Sequence, residues 1–268
     1  MSRRWALPAL AVVAIASIVV AWWLFRPRQD AHWRRIIDTG VWRVAIDPSF
    51  PPFESTGPDG ELIGFDVDLA RAIAVRWGVE VRFELIGFDG LLDSVWAGQV
   101  DSVISAYPLQ PQYARDVGYS IPYFEAGVVL VAREGSGIEG IEDLRGRRVA
   151  VEWGSEGDVQ ARKLARRLGD LSIVPLESPD LAVGAVVDGQ ADAALVDGVT
   201  AALAIGRGDP LMIVGEPLSP APYVIVTHVR AHALLAAINQ ALEDLKAEGV
   251  LDELRARWFG LGWSRKAQ

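Results

Sequence analysis

Two short phrases occur twice in this chain, in the same order. Arg43-Val44-Ala45-Ile46-Asp47 returns as Arg148-Val149-Ala150-Val151-Glu152, and Gly98-Gln99-Val100-Asp101 returns as Gly189-Gln190-Ala191-Asp192. In each copy the first phrase reads as a short apolar strand ending in an acid, and the second leads into another apolar strand. Repetition at offsets of 105 and 91 residues predicts two similar α/β lobes within one chain. No Ser/Gly-rich or Pro-rich linker divides them. The break falls at Tyr119-Ser120-Ile121-Pro122-Tyr123, which is apolar and predicted to be structured.

Around these phrases, short apolar runs alternate with helical patterns. Strands are predicted at Trp42 to Ile46, Val79 to Leu85 and Ser102 to Ser105, and helices at Phe65 to Trp77 and Gly90 to Ala97. In the second series the predicted strands are Gly127 to Ala132, Arg148 to Val151, Ser172 to Pro175, Ala193 to Val196 and Tyr223 to Thr227. Helices are predicted at Ser155 to Leu168, Leu181 to Val187, Val199 to Ile205, His232 to Lys246 and Leu251 to Trp258. Ser155 and Asp158 have the spacing of a capping box.

The N-terminus is different in kind. Trp5 to Phe25 is a run of 21 residues without a charge, preceded by Arg3 and Arg4 and followed by Arg26 and Arg28. At ~1.5 Å per residue such a helix covers the ~30 Å hydrocarbon core, and Trp5, Trp22, Trp23 and Phe25 stand where interfacial aromatics are favoured. Ala14-Ile15-Ala16 is a candidate cleavage site, but the apolar run continues past it. An uncleaved anchor is therefore expected over a cleaved signal, with the rest of the chain outside the cytoplasm. Beyond residue 28 there are 22 basic and 35 acidic residues, a net charge of −13. That balance excludes a nucleic-acid partner and leaves membrane contact to the anchor. The absence of cysteine excludes disulfides, thiolate metal sites, a cysteine nucleophile and a lipid-modified N-terminal cysteine.

Open α/β sheets bind ligands beyond the carboxyl ends of their strands. Those ends deliver Asp47, Glu152 and Asp197, and a fourth delivers Ser105, Ala106 and Tyr107. None delivers Lys or Arg. Each acid also has a purely structural reading: Asp197 as a helix cap, Asp47-Pro48 as a turn. Taken together, three acids at one crevice point to a ligand bearing a positive group. Phe50, Phe53, Phe88 and Tyr107 fall in loops after strands, where aromatic faces add cation–π attraction of ~0.5–2 kcal/mol; Phe53 is the one most readily packed inward. Catalysis finds little footing. His32, His228 and His232 have no metal or triad spacing, and no nucleophile elbow, zinc or P-loop motif is present. An anion at the helix start near Gly154 to Gly157 would be repelled by Glu152, Glu156 and Asp158.

Gly64-Phe65-Asp66-Val67-Asp68-Leu69-Ala70 fits a signature of the form Gly-Phe/Tyr-Asp-Leu/Val-Asp/Glu-Leu/Ile. With Phe50-Pro51-Pro52-Phe53, Gly87-Phe88-Asp89-Gly90-Leu91, Tyr119 to Tyr123 and Trp258-Phe259-Gly260, the chain resembles family 3 extracellular (periplasmic) solute-binding proteins of the polar amino-acid ABC-importer type, from about Gly40 to Gly260. The resemblance implies a type II fold, two lobes joined by two crossover strands and closing on a small solute. Its division would be residues 1–28 anchor or signal, 29–40 connector, 41–124 with 224–262 lobe 1, and 125–223 lobe 2, hinged near Tyr123 to Gly127 and Ala221 to Tyr223. It also implies that Asp47 and Phe50 line the first-lobe side, that Phe88 stacks on the ligand and that Ser105 and Ala106 contact it. Ser155 and Glu156 would come from the second lobe, with Asp197 as the amine-binding carboxylate; Glu152 and Tyr107 join the candidates from the strand-end reading.

One departure stands out. Members usually read G-x-T-x-T-x-x-R after the third strand, the Arg clasping the ligand's α-carboxylate. Here Pro108 replaces a Thr and Tyr113 replaces the Arg; Arg115 is two residues on, roughly 200° around a helix. The expected ligand is accordingly cationic or neutral: a small amine, a polyamine-like compound or a modified amino acid. The expectation is a monomeric, membrane-tethered binding protein with an ABC permease as partner, and with no cofactor, metal or catalytic residue. The alternatives are a dehydratase-like enzyme with Glu152 or Glu156 as acid, and a sensor or scaffold with a degenerate site.

Overall fold

The computed structural model describes residues 30–260. The segment expected to span a membrane lies outside the described residues, and among those no helix is long and apolar enough to cross one.

The described chain enters through α1 (Ala31–Thr39), capped by Asp30, whose carboxylate accepts from the Trp33 N–H at 2.8 Å. β1 (Val41–Ile46) leads into a small antiparallel meander of β2 (Ser49–Phe50), β3 (Glu54–Thr56) and β4 (Leu62–Ile63). Then come α2 (Phe65–Trp77), β5 (Glu80–Leu85), α3 (Leu91–Trp96), β6 (Ser102–Val103) and β7 (Val117–Tyr119). β8 (Phe124–Glu125) leads to β9 (Val128–Arg133), β10 (Arg148–Glu152), α4 (Glu156–Leu168) and β11 (Ser172–Leu176). α5 (Pro179–Val187), β12 (Ala193–Asp197), α6 (Gly198–Gly206) and β13 (Leu211–Ser219) follow. β14 (Pro222–Tyr223) runs back antiparallel to β8, and β15 (Val226–His228), α7 (His232–Ala247) and α8 (Val250–Phe259) finish the described chain.

The two five-stranded sheets have the same plan. One runs β5-β1-β6-β15-β7, the other β11-β10-β12-β9-β13. In each, the first three strands are parallel and the fourth is antiparallel to the third. The doubled phrases occupy equivalent places and meet in space. Asp101 accepts from the Arg43 N–H at 2.8 Å and its guanidinium at 3.0 Å, while that guanidinium also donates to the Gly98 carbonyl at 3.2 Å. Asp192 takes the Arg148 N–H at 2.8 Å and its guanidinium at 3.3 Å, and the Gly189 carbonyl accepts at 3.0 Å. Each phrase pair is thus a clasp at the amino end of a central strand. The first-lobe clasp is buried and gains Arg35 as a second partner; the second-lobe clasp is half exposed.

Long, strongly patterned elements fall where the sequence predicts them. The differences are in short or edge pieces: β2 to β4, β7, β8 and β13 are unpredicted, and the strand expected over Tyr223 to Thr227 is split, Val224 and Ile225 lying between β14 and β15. Gly64, before α2, shows why that signature needs glycine. Its φ is +142°, and a Cβ there would stand 2.0 Å from the Phe53 carbonyl oxygen. That approach lets the Phe65 and Asp66 N–H groups, free at a helix start, donate to Pro52 and Phe53.

The cores are not fully separate. α6 turns Ala201, Ala204 and Ile205 to the second sheet, and packs Val199, Ala202 and Leu203 into the first-lobe core. At its end Gly206 lies so close to α8 that a Cβ would be 1.2 Å from the Phe259 carbonyl oxygen.

Candidate functional site

β1 lies between β5 and β6, so strand order reverses there, and a crevice is expected beyond the carboxyl ends of β1 and β6. A cavity of about 480 Å³ occupies it, within the range of small-molecule sites. Asp47 and Ser105 line it from the two strand ends. The Asp47 N–H donates to Ser105 Oγ at 3.0 Å, the Ser105 hydroxyl donates to Glu54 Oε1 at 2.9 Å, and Asp47 Oδ2 accepts from the Phe88 N–H at 2.9 Å. One carboxylate oxygen of Asp47 therefore orients the side chain.

Phe50 and Phe88 form the walls, each about half exposed and each backed by a buried ring. Phe50 stacks on Phe53 at 5.7 Å and Phe88 on Tyr107 at 5.4 Å. Phe53 packs inward and Tyr107 acts as a backing ring, its phenol accepting from Gln110 at 3.1 Å. Burial pushes the Tyr107 phenol up to about 12. Ala126, Ala221 and Tyr223 line the cavity from the crossovers. There the Glu125 carboxylate binds the two crossovers together, accepting from Gly127 N–H at 2.8 Å and Ala221 N–H at 2.7 Å.

The floor holds what the sequence reading missed. Glu54 lines the cavity although it is only 1% exposed, and Asp66 lies wholly buried behind it. Asp66 Oδ2 accepts from the Ala106 N–H at 2.5 Å and the Tyr123 hydroxyl at 2.8 Å. Burial, and then the charge of Asp66, push the Glu54 carboxyl up to about 10. Burial also raises Asp66, less strongly because donors stabilise its ionised form. Ala106 sits at φ +42°, unusual for a residue with a Cβ. Its N–H and the Ser105 hydroxyl are both turned inward to acids, and Pro108 beside them has no N–H. The strand end that would clasp an anion therefore has its donors engaged.

The cavity brings together Asp47, Phe50, Phe88, Ser105 and Ala106. It does not include Tyr113, which ends the 3-10 turn Pro111–Tyr113 and lines a separate depression with Trp96 and Arg115. Pro111 opens that turn, at the position where proline's fixed φ suits a helical start. Glu152, Ser155, Glu156 and Asp197 stand at the carboxyl ends of β10 and β12 and do not line the cavity. Ser155 caps α4, accepting from the Asp158 N–H at 3.3 Å and donating to Glu152 O at 2.8 Å. Glu156 accepts from Gln160. Asp197 caps α6, taking the Thr200 N–H at 2.9 Å and hydroxyl at 2.7 Å. Its charge nevertheless reaches the cavity: burial, then Asp197, raise the Tyr223 phenol to about 12. No arginine or lysine lines the cavity among the described residues.

Two α/β lobes with one crossover clasp and a crevice at a strand switch define a solute-binding fold. Residues 42–261 match the bacterial extracellular solute-binding proteins, family 3, and the chain belongs to that family. The L-cystine-binding protein TcyJ of Escherichia coli (strain K12) is 28% identical over 231 residues, 84% of this chain and 85% of that protein. Among solved structures, the unliganded, open L-cystine solute receptor of Neisseria gonorrhoeae is 27% identical, covers 87% of this chain and 98% of its own, and overlays with a TM-score of 0.76. An ancestral arginine-binding protein bound to arginine is 35% identical, covers 82% and 99%, and overlays at 0.50. The family supplies ABC importers with amino-acid-binding proteins that work outside the cytoplasm, and these relatives are binding proteins, not enzymes.

Proposed function

We propose that this chain is a membrane-tethered binding protein that captures a small, amine-bearing or cationic, amino-acid-like solute between its lobes and delivers it to an ABC permease. One observation carries the reading: two acids, Asp47 and Glu54, and two half-exposed phenyl rings meet in one cavity with no basic residue lining it. A desolvated ammonium or guanidinium gains there from both charge and ring faces. Relatives named for arginine binding, such as the ABC transporter arginine-binding protein 1 of Escherichia coli (strain K12), support the class.

The overlays support an open resting form. Overlap is higher with the unliganded open receptor than with the more similar arginine-bound protein. On closure about the crossovers, Glu152, Ser155, Glu156 and Asp197 would swing over the solute from the second lobe. The uncharged run at residues 5–25 supplies the tether. Calorimetry on residues 29–268 against amines, cationic amino acids and dicarboxylates tests the reading. Saturable binding of a cation without turnover is expected. Preference for a dicarboxylate overturns it, as does consumption of prephenate or arogenate.

A further inference from the structure

At the cavity floor two carboxyl groups meet with no base between them. Glu54 Oε1 is engaged by Ser105, and Asp66 Oδ2 by Ala106 and Tyr123. The other two oxygens, Glu54 Oε2 and Asp66 Oδ1, are buried and have no hydrogen-bond partner. Their partners Ser105 and Ala106 are consecutive residues, so the two carboxyl groups lie side by side at the floor. Two buried acids side by side with no cation between them resist joint ionisation, so the pair holds one proton. Asp66 has two donors on its ionised form; Glu54 has one and adjoins the cavity. The proton therefore belongs to Glu54.

The groups facing this pair come from every side. Asp47 approaches from the end of β1, Tyr123 from the segment before β8, Tyr223 from β14, and Ser105 and Ala106 from the end of β6. All are neutral or acidic. Asp197 acts one step further out, through Tyr223. A positive head in the cavity would be the first cation to face Glu54.

We propose that Glu54 is a charge-sensing, specificity-determining residue of the cleft, which gives up its proton when a cationic solute binds and keeps it when a neutral one does. The inference rests on the cleft being the solute site. The step is a simple exchange: the Glu54 O–H bond breaks, its electron pair stays on the carboxylate, the proton passes to water or buffer, and the solute is unchanged. A neutral solute thus meets a protonated floor that offers a hydrogen bond, whereas a cation meets one more negative charge. By linkage, affinity for a permanent cation rises with pH by up to about tenfold per unit while the exchange is under way.

Calorimetry on the full chain in detergent tests this, with L-arginine as cation and L-glutamine as neutral probe, in buffers of differing ionisation enthalpy at pH 7.5. The expected result is close to one proton released per arginine, none with glutamine, and none with either probe in Glu54→Gln. Arginine binding without proton release overturns the inference but leaves the cleft reading standing, as does equal release from Glu54→Gln. Failure of both probes to bind overturns both. An infrared spectrum of the ligand-free protein reads the proton directly. A protonated-carboxyl band is expected in the parent and not in Glu54→Gln, and its absence from the parent overturns the inference whatever binds.

Discussion

Replacing Glu54 with glutamine is expected to stabilise this protein, and to do so increasingly as pH rises. The glutamine amide keeps an oxygen for the Ser105 hydroxyl and offers an N–H to the buried Asp66 oxygen that has no other donor. In the folded parent Glu54 holds its proton up to about 10, against 4.5 when unfolded. The folded state therefore binds more protons than the unfolded one between those values. The associated stability is fully present below about 4.5 and drains away as pH rises towards 10. The limiting slope is ~1.4 kcal/mol per pH unit. Glutamine does not titrate, so the variant's lead should grow by ~2–3 kcal/mol between pH 5.5 and 7.5. Urea unfolding of both proteins at pH 5.5, 6.5 and 7.5, with equal m-values, measures it. A gap constant to within about 0.5 kcal/mol across that range would mean that Glu54 is ionised in the fold, and the reasoning about the floor would be lost.

The two clasps should differ in weight. Asp101→Ala strands two arginines and a strand N–H at a buried site and should cost ~3–5 kcal/mol, whereas Asp192→Ala at the half-exposed site should cost ~1 kcal/mol; urea midpoints compare them. Phe88→Ala should weaken binding of a cationic solute roughly two- to thirtyfold, from ~0.5–2 kcal/mol of cation–π attraction, and calorimetry would show no change if the ring does not touch the solute. Gly206→Ala forces α6 from α8 and should cost ~1–3 kcal/mol, a melting-point drop of several degrees. Gly184→Ala, where a Cβ meets nothing within 4 Å, is the control and should not lower the melting point.

What was legible in the sequence follows from range. α2 and α4 have repeating apolar stripes and local caps, so their periodicity alone locates them. The doubled phrases reveal the sheet plan because each clasp joins residues on neighbouring strands of one lobe. β2 is exposed throughout and β3 is three polar residues with only Glu54 buried, so no apolar run marks them. Asp47, Ser105 and the two phenylalanines could be placed because strand ends and their loops are local features. The Glu54–Asp66 pair could not. Asp66 looks like any acid in a first helical turn, and its burial depends on residues 54, 105, 106 and 123 converging. The alternation of Phe53, buried, with a polar Glu54 that the fold also buries gave no sign of a partner.

The position of α6 bears on the proposed closure of the mouth. A helix that gives one flank to each core couples the two, so the closure proposed about the crossovers would have to carry α6 with one core and slide it against the other. The place where its main chain meets α8 leaves no room for even a Cβ, so a sliding of that kind would be felt there first. Under the proposed function, a variant at Gly206 would therefore be expected to shift affinity through the poise of the lobes, with no change in the residues that line the cavity.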